Sequence, residues 1–218
     1  FHHVDMLNNS NQIIDYNYID SQVENDDYIS QRSNLTHKVV GYLPYWKYDT
    51  YQDLDYSLLT EINYFSAELD SYGNIINDHN WSSIAFVDYA QERGVKVKLC
   101  ATLFGSDELS ILLSSELNRQ NAINNLLNSV LERGADGVDI DFELLPSNQR
   151  ANLVSFMVEL SETFHDYIED PIITMATPAI DWSNAWDYNQ LAQITDGLFI
   201  MGYNYFYAGS SQAGPISP

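Results

Sequence analysis

From Lys38 onward, short β-branched and aromatic runs alternate with amphipathic stretches, and this alternation limits the possible folds more than any other feature of the chain. The strand candidates are KVVGYLPYW (38–46), EINYFSAEL (61–69), VKVKLCATLF (95–104), GVDIDFE (137–143), IITMATPA (172–179) and GLFIMGYNYF (197–206). Helix candidates lie between them, near Leu54–Thr60 and over Trp81–Arg93, Arg119–Arg133, Asn148–Glu169 and Tyr188–Ile194. Gly94 and Gly134 directly follow two of these, where a left-handed residue closes a helix. Strict alternation predicts a parallel sheet with right-handed crossovers, either open and doubly wound or closed as a barrel. No Gly-x-Gly-x-x-Gly follows the first strand, which weakens the dinucleotide-binding version.

Spacing favours the barrel. Residues 38–218 make six βα units of about 30 residues, and eight such units need about 240, close to the length of a (β/α)₈ TIM barrel. A chain holding only about six units leaves two open sheet edges and an uncovered interior. The favoured expectation is therefore a fragment of a longer protein. The alternatives are that the N-terminal extension or another copy fills the gap, and self-association through the open edges follows from the second. Residues 1–37, rich in Asn, Asp and Ser and without sustained period, read as an extension or linker, and 38–218 as the partial barrel domain. The chain starts at Phe1, so any signal peptide is removed or left out.

Charge narrows the partners. With 31 acidic and 9 basic residues the formal charge is −22, which argues against electrostatic binding to nucleic acid or an anionic membrane. No run approaches the roughly 18 apolar residues of a spanning helix, so a soluble chain is expected. The single cysteine, Cys100, sits in an apolar strand and reads as a buried, inert thiol, which excludes an internal disulfide and a cysteine zinc site. The five histidines are scattered without metal-ligand spacing, so neither a metal nor a cofactor is expected.

Within this frame DGVDIDFELLP (136–146) stands out. Alternation sends Val138, Ile140 and Phe142 to one face and Asp139, Asp141 and Glu143 to the other, about 6.6 Å apart along the strand. Buried strands of parallel sheets are normally apolar throughout. Three carboxyls so placed cannot all ionise cheaply, so a proton is shared along the column and one carboxyl stays neutral near pH 7. Glu143, nearest the C-terminal face where barrel enzymes work, is the candidate proton donor. Two other readings remain open: a solvated acidic edge strand, and a Mg²⁺ or Ca²⁺ site completed by neighbouring strands, whose ends offer mainly aromatics and amides.

DGVDIDFE resembles, residue for residue, the Asp-Gly-x-Asp-x-Asp-x-Glu signature of glycoside hydrolase family 18, which includes chitinases and endo-β-N-acetylglucosaminidases. VVGYLPYW, INYFSAEL and MGYNYF resemble its first, second and sixth strands. The resemblance implies a retaining, substrate-assisted hydrolysis of β-1,4 bonds next to N-acetylglucosamine, with Glu143 as general acid/base. Asp141 would orient the acetamido group and Asp139 would share its proton, while Asp136 lies outside the column's parity and reads as structural. Tyr203 would contact the acetamido group and Met201 would pack beneath the sugar. Asn204 stands where many members carry Asp. Tyr45, Trp46, Trp182, Tyr205 and Tyr207, at or just beyond strand ends, could stack on sugar rings. The third strand, LCATLFG, departs from the family's Ser-x-Gly-Gly, and the last two strands are absent. The implied partner is a polysaccharide or oligosaccharide containing N-acetylglucosamine, met outside the cell. The rival functions are a non-catalytic glycan-binding relative and an inactive fragment.

Overall fold

The computed structural model describes residues 35–204 and 206–217. Six strands run parallel: β1 (Val40–Pro44), β2 (Glu61–Leu69), β4 (Lys96–Phe104), β5 (Gly137–Glu143), β6 (Ile172–Pro178) and β7 (Gly197–Met201). They are ordered β1-β2-β4-β5-β6-β7, and a short β3 (Ile75–Asn77) pairs antiparallel with β2. The sheet is curled. Six flat strands would set their edges about 24 Å apart, yet Tyr42 of β1 and Phe199 of β7 meet edge to face with ring centroids 5.0 Å apart. A part-closed barrel results, with β1 and β7 each hydrogen-bonded, among the described residues, to a neighbouring strand on one side only.

Helices cover the convex face. They are α1 (Phe86–Glu92), α2 (Ser106–Ser114), α3 (Glu116–Arg133), α4 (Arg150–Tyr167) and α5 (Tyr188–Ile194). In α3 the Ser115 hydroxyl accepts from the Asn118 N–H, Ala122, Ile123, Leu126, Leu127 and Val130 form the buried stripe, and left-handed Gly134 ends the helix. Gly94 closes the turn after α1 with φ 69°, as its position predicts. Val138, Ile140 and Phe142 of β5 point under the helices, where the Phe142 ring packs 5.4 Å from that of Phe156 in α4. The acids of β5 therefore face the concave interior.

Several boundaries differ from expectation. β1 ends at Pro44, where a 3₁₀ segment, Tyr45–Asp53, takes over. Trp81–Arg93 is not one helix, because the Trp81 indole is buried and its N–H donates to the Ser129 carbonyl of α3 at 2.9 Å. That contact holds a separate 3₁₀ turn, Trp81–Ser83, and extended Ile84 divides it from α1. Near Leu54–Thr60 only the short turn Tyr56–Leu58 forms. β7 stops at Met201, beyond which the Gly202 N–H turns back to the Ile200 carbonyl. Of the proposed extension, residues 1–34 lie outside the described residues.

Candidate active site

The site begins with the two residues that seat β5. Asp136 accepts the Val97 N–H at 2.8 Å, the Lys96 ammonium at 2.7 Å and the Gln91 amide at 2.9 Å, so its side chain bolts the strand's entry to β4. Gly137, with φ 156°, lies so close to β6 that a Cβ there would come 1.9 Å from the Ile172 carbonyl oxygen. Only glycine allows β5 and β6 this approach, and it sets the height of every carboxyl above it.

Asp139 is fully buried and well supplied with donors. Tyr42 of β1 donates to one carboxylate oxygen at 2.7 Å and Thr174 of β6 donates to the other. Cys100 is the register partner of Asp139 on β4, and the ionisation of its thiol is pushed well up, first by burial and then by the charges of Asp139 and Asp141. Asp141 differs in kind. It is 6% exposed, and among the described residues its Oδ1 has no hydrogen-bond partner. Burial, followed by the charges of Glu143 and Asp139, raises its carboxyl to about 7. Two carboxyls in one column thus sit in opposite environments.

Glu143, half-buried at the end of β5, is also raised above the usual carboxyl range, by burial. It lines an open cleft of about 440 Å³ together with Met201, Trp182, Trp186, Leu144 and Ile180. Tyr203 is 47% exposed, and its hydroxyl is raised by burial and then by the charges of Asp141 and Glu143, which places it within their field. Trp182 is 88% exposed on the cleft wall. Trp46 is exposed and packs edge-on against Phe65 and Tyr45.

Tyr45 stacks on the His79 ring with centroids 3.5 Å apart and lines a separate cavity of about 220 Å³ with Tyr48 and Tyr64. Asn204 is exposed in a left-handed conformation, φ 66°, and Tyr207 is exposed. Tyr205 lies outside the described residues. Glu143, Met201 and Trp182 thus share one cleft, Asp139 and Asp141 lie on the same strand face as Glu143, and Tyr45 belongs to a different hollow.

The partners of Asp139, and a buried ion pair beneath it, lie outside what the DGVDIDFE motif shows. Lys98 of β4 is fully buried, with its ammonium 2.8 Å from Glu61 of β2 and 2.9 Å from the Thr174 hydroxyl. The Lys38 ammonium joins Glu61 from solvent at 2.9 Å. A signal was present, since Lys98 shares the interior parity of Cys100 and Thr102, and a lysine there demands a counter-charge.

A family model described as Glycosyl hydrolases family 18 matches residues 38–218. The chain is 27% identical over 183 residues to YdhD of Bacillus subtilis, named provisionally as a sporulation-specific glycosylase, a match covering 76% of this chain and 42% of the relative. It is also 27% identical over 214 residues to a chitinase-like effector of Moniliophthora perniciosa, covering 87% of this chain and 48% of that protein. The chain therefore spans about half the length of the curated relatives it matches. Among solved structures, YdhD superimposes with a TM-score of 0.66 at 28% identity, over 77% of this chain and 58% of that one. A Group IV chitinase of Ostrinia furnacalis in complex with allosamidin superimposes at 0.72 and 22% identity, over 84% and 55%, a likeness of fold.

Proposed function

The chain belongs to glycosyl hydrolases family 18, and from that premise we propose that it carries the acid–base machinery of a retaining, substrate-assisted glycosidase. Its substrate would be chitin or a related glycan, cut at β-1,4 bonds next to N-acetylglucosamine. The observation that carries this reading is the buried Asp141, its Oδ1 without a partner among the described residues and its carboxyl pushed up to about 7, set between the fully buried, multiply hydrogen-bonded Asp139 and the cleft residue Glu143. Such a column delivers a proton at its open end and keeps the carboxyl below in a state matched to neutral pH.

In this mechanism Glu143 protonates the glycosidic oxygen as its bond to the anomeric carbon breaks. The acetamido oxygen of the same sugar attacks that carbon and closes an oxazolinium ring. Water, losing its proton to Glu143, opens the ring, so the configuration is retained. Asp141 orients the acetamido group, Tyr203 hydrogen-bonds it and Met201 packs beneath the ring, while Trp182 and Trp46 offer exposed faces for stacking. The acidic balance of the chain fits a neutral glycan better than an anionic one, and action outside the cell is part of this proposal. Among the described residues no helix is long and apolar enough to cross a membrane.

The test uses this chain and a version extended through eight strands, each with and without Glu143→Gln, measuring chitooligosaccharide binding and hydrolysis. Loss of a general acid lowers turnover about 10²- to 10⁴-fold, with binding retained. Binding by the extended protein without hydrolysis, or hydrolysis indifferent to the substitution, would replace the enzyme with a glycan-binding relative or another acid.

A further inference from the structure

The buried ion pair beneath the acid column has a direction. An ammonium only donates hydrogen bonds and a threonine hydroxyl has a single proton. With Lys98 donating to the Thr174 oxygen at 2.9 Å, the Thr174 proton is free to point only at Asp139 Oδ1, and the hydrogen bond between them is present. Tyr42 donates to Oδ2 at 2.7 Å, and burial and the Asp139 charge hold its hydroxyl well above the usual phenol range, so it keeps its proton. Both oxygens of Asp139 are therefore engaged as acceptors.

We propose that Lys98, acting through the Thr174 hydroxyl, holds Asp139 as a carboxylate and so assigns the column's proton to Asp141. Lys98 is a positioning residue. It reaches neither the cleft nor a substrate, and Glu61, itself tied to Lys38, anchors its charge at the barrel floor. Remove the cation, and the Thr174 hydroxyl can rotate to accept a proton from Asp139, so the column could store its proton one carboxyl lower. Asp141 would then be anionic directly below Glu143, the wrong arrangement for orienting an acetamido group. The inference rests on the acid–base reading above for its purpose, but not for its detection.

Among the described residues, the ionisable groups facing the pair from the packed elements all belong to this balance: Tyr42 from β1, Glu61 from β2, Lys98 and Cys100 from β4, Glu143 from β5 itself and Tyr203 after β7. β6 contributes only the Thr174 hydroxyl. Without Lys98 the relay has no other buried donor on Thr174 among the described residues.

The test is carboxyl ¹³C NMR of the aspartate-labelled chain through a pH titration, with Asp139→Asn and Asp141→Asn used to assign the two signals. In the wild type Asp141 takes up its proton first as the pH falls, while Asp139 stays ionised. In Lys98→Met and in Thr174→Val the gap between the two titrations closes or reverses, and Thr174→Ser, which keeps the hydroxyl, restores it. If Lys98→Met does not fold, the Thr174 variants decide alone. The proposal is overturned if Asp139 protonates first in the wild type, or if the order and gap are unchanged in folded Thr174→Val. No substrate enters this measurement, so a chain that proves unable to hydrolyse chitin would sink the enzymatic reading and leave this one standing.

Discussion

Asp141→Asn should make the protein more stable, and increasingly so as the pH rises. The Asp141 carboxyl lies near about 7 in the folded chain, raised from 3.8, because burial and two neighbouring carboxylates disfavour its charge. Between those values the folded state binds a proton that the unfolded chain has released, so stability falls as pH rises through this window. At about 1.4 kcal/mol per unit, the full penalty is on the order of 4 kcal/mol, complete a little above pH 7. An asparagine at this site is neutral throughout and of nearly the same shape. Urea unfolding of wild type and variant should therefore show the variant gaining roughly 2.5 kcal/mol relative to wild type between pH 5 and pH 8. The lowered carboxyls elsewhere, such as Glu61, Asp70 and Asp181, have the opposite pH dependence but are common to both proteins and cancel in the difference. A difference that does not change with pH would refute the claim that Asp141 is held neutral in the fold.

Gly137→Ala forces a methyl carbon to within 1.9 Å of the Ile172 carbonyl oxygen, so β5 and β6 must separate; thermal denaturation should show a loss of about 3 kcal/mol or more, or no folded protein. In the eight-strand version, Tyr203→Phe removes the hydroxyl proposed to hold the acetamido group, and kcat should fall about 100-fold with KM little changed. The one-sided pairing of β1 and β7 predicts that this chain self-associates with rising concentration and that the eight-strand version does not, which sedimentation velocity would read directly.

Much of the fold could be read in advance because parallel strands separated by amphipathic helices leave few arrangements. The bounds of β2 and β5 were read correctly, since their flanking punctuation coincides with real chain reversals. The face carrying Asp139, Asp141 and Glu143 was also legible, because a two-residue period leaves no freedom once one side is apolar. What failed to show was set by curvature. Tyr42 of β1 reaches Asp139, 97 positions away, only because the sheet curls; Thr174 is the register partner of Asp139 on β6, and Lys98 of β4 reaches Thr174 from two strands away, a contact that strand parity alone does not show. Tyr45 illustrates the other limit: its place at a strand end was readable, but its ring packs on His79, and β3 with the loop after it cannot be inferred from strand parity. Trp81 likewise interrupts an apparently helical stretch because its indole finds a carbonyl on α3.

The proposed hydrolysis takes its proton from Glu143 and its nucleophile from the substrate. The direct measurement is the rate at which the eight-strand protein cleaves N-acetylated and deacetylated chitooligosaccharides of equal length, each with wild type and Glu143→Gln. Cleavage of the acetylated chain alone, lost on substituting Glu143, is the predicted result. Equal cleavage of the deacetylated chain would contradict it, because that substrate has no acetamido oxygen to act as its own nucleophile.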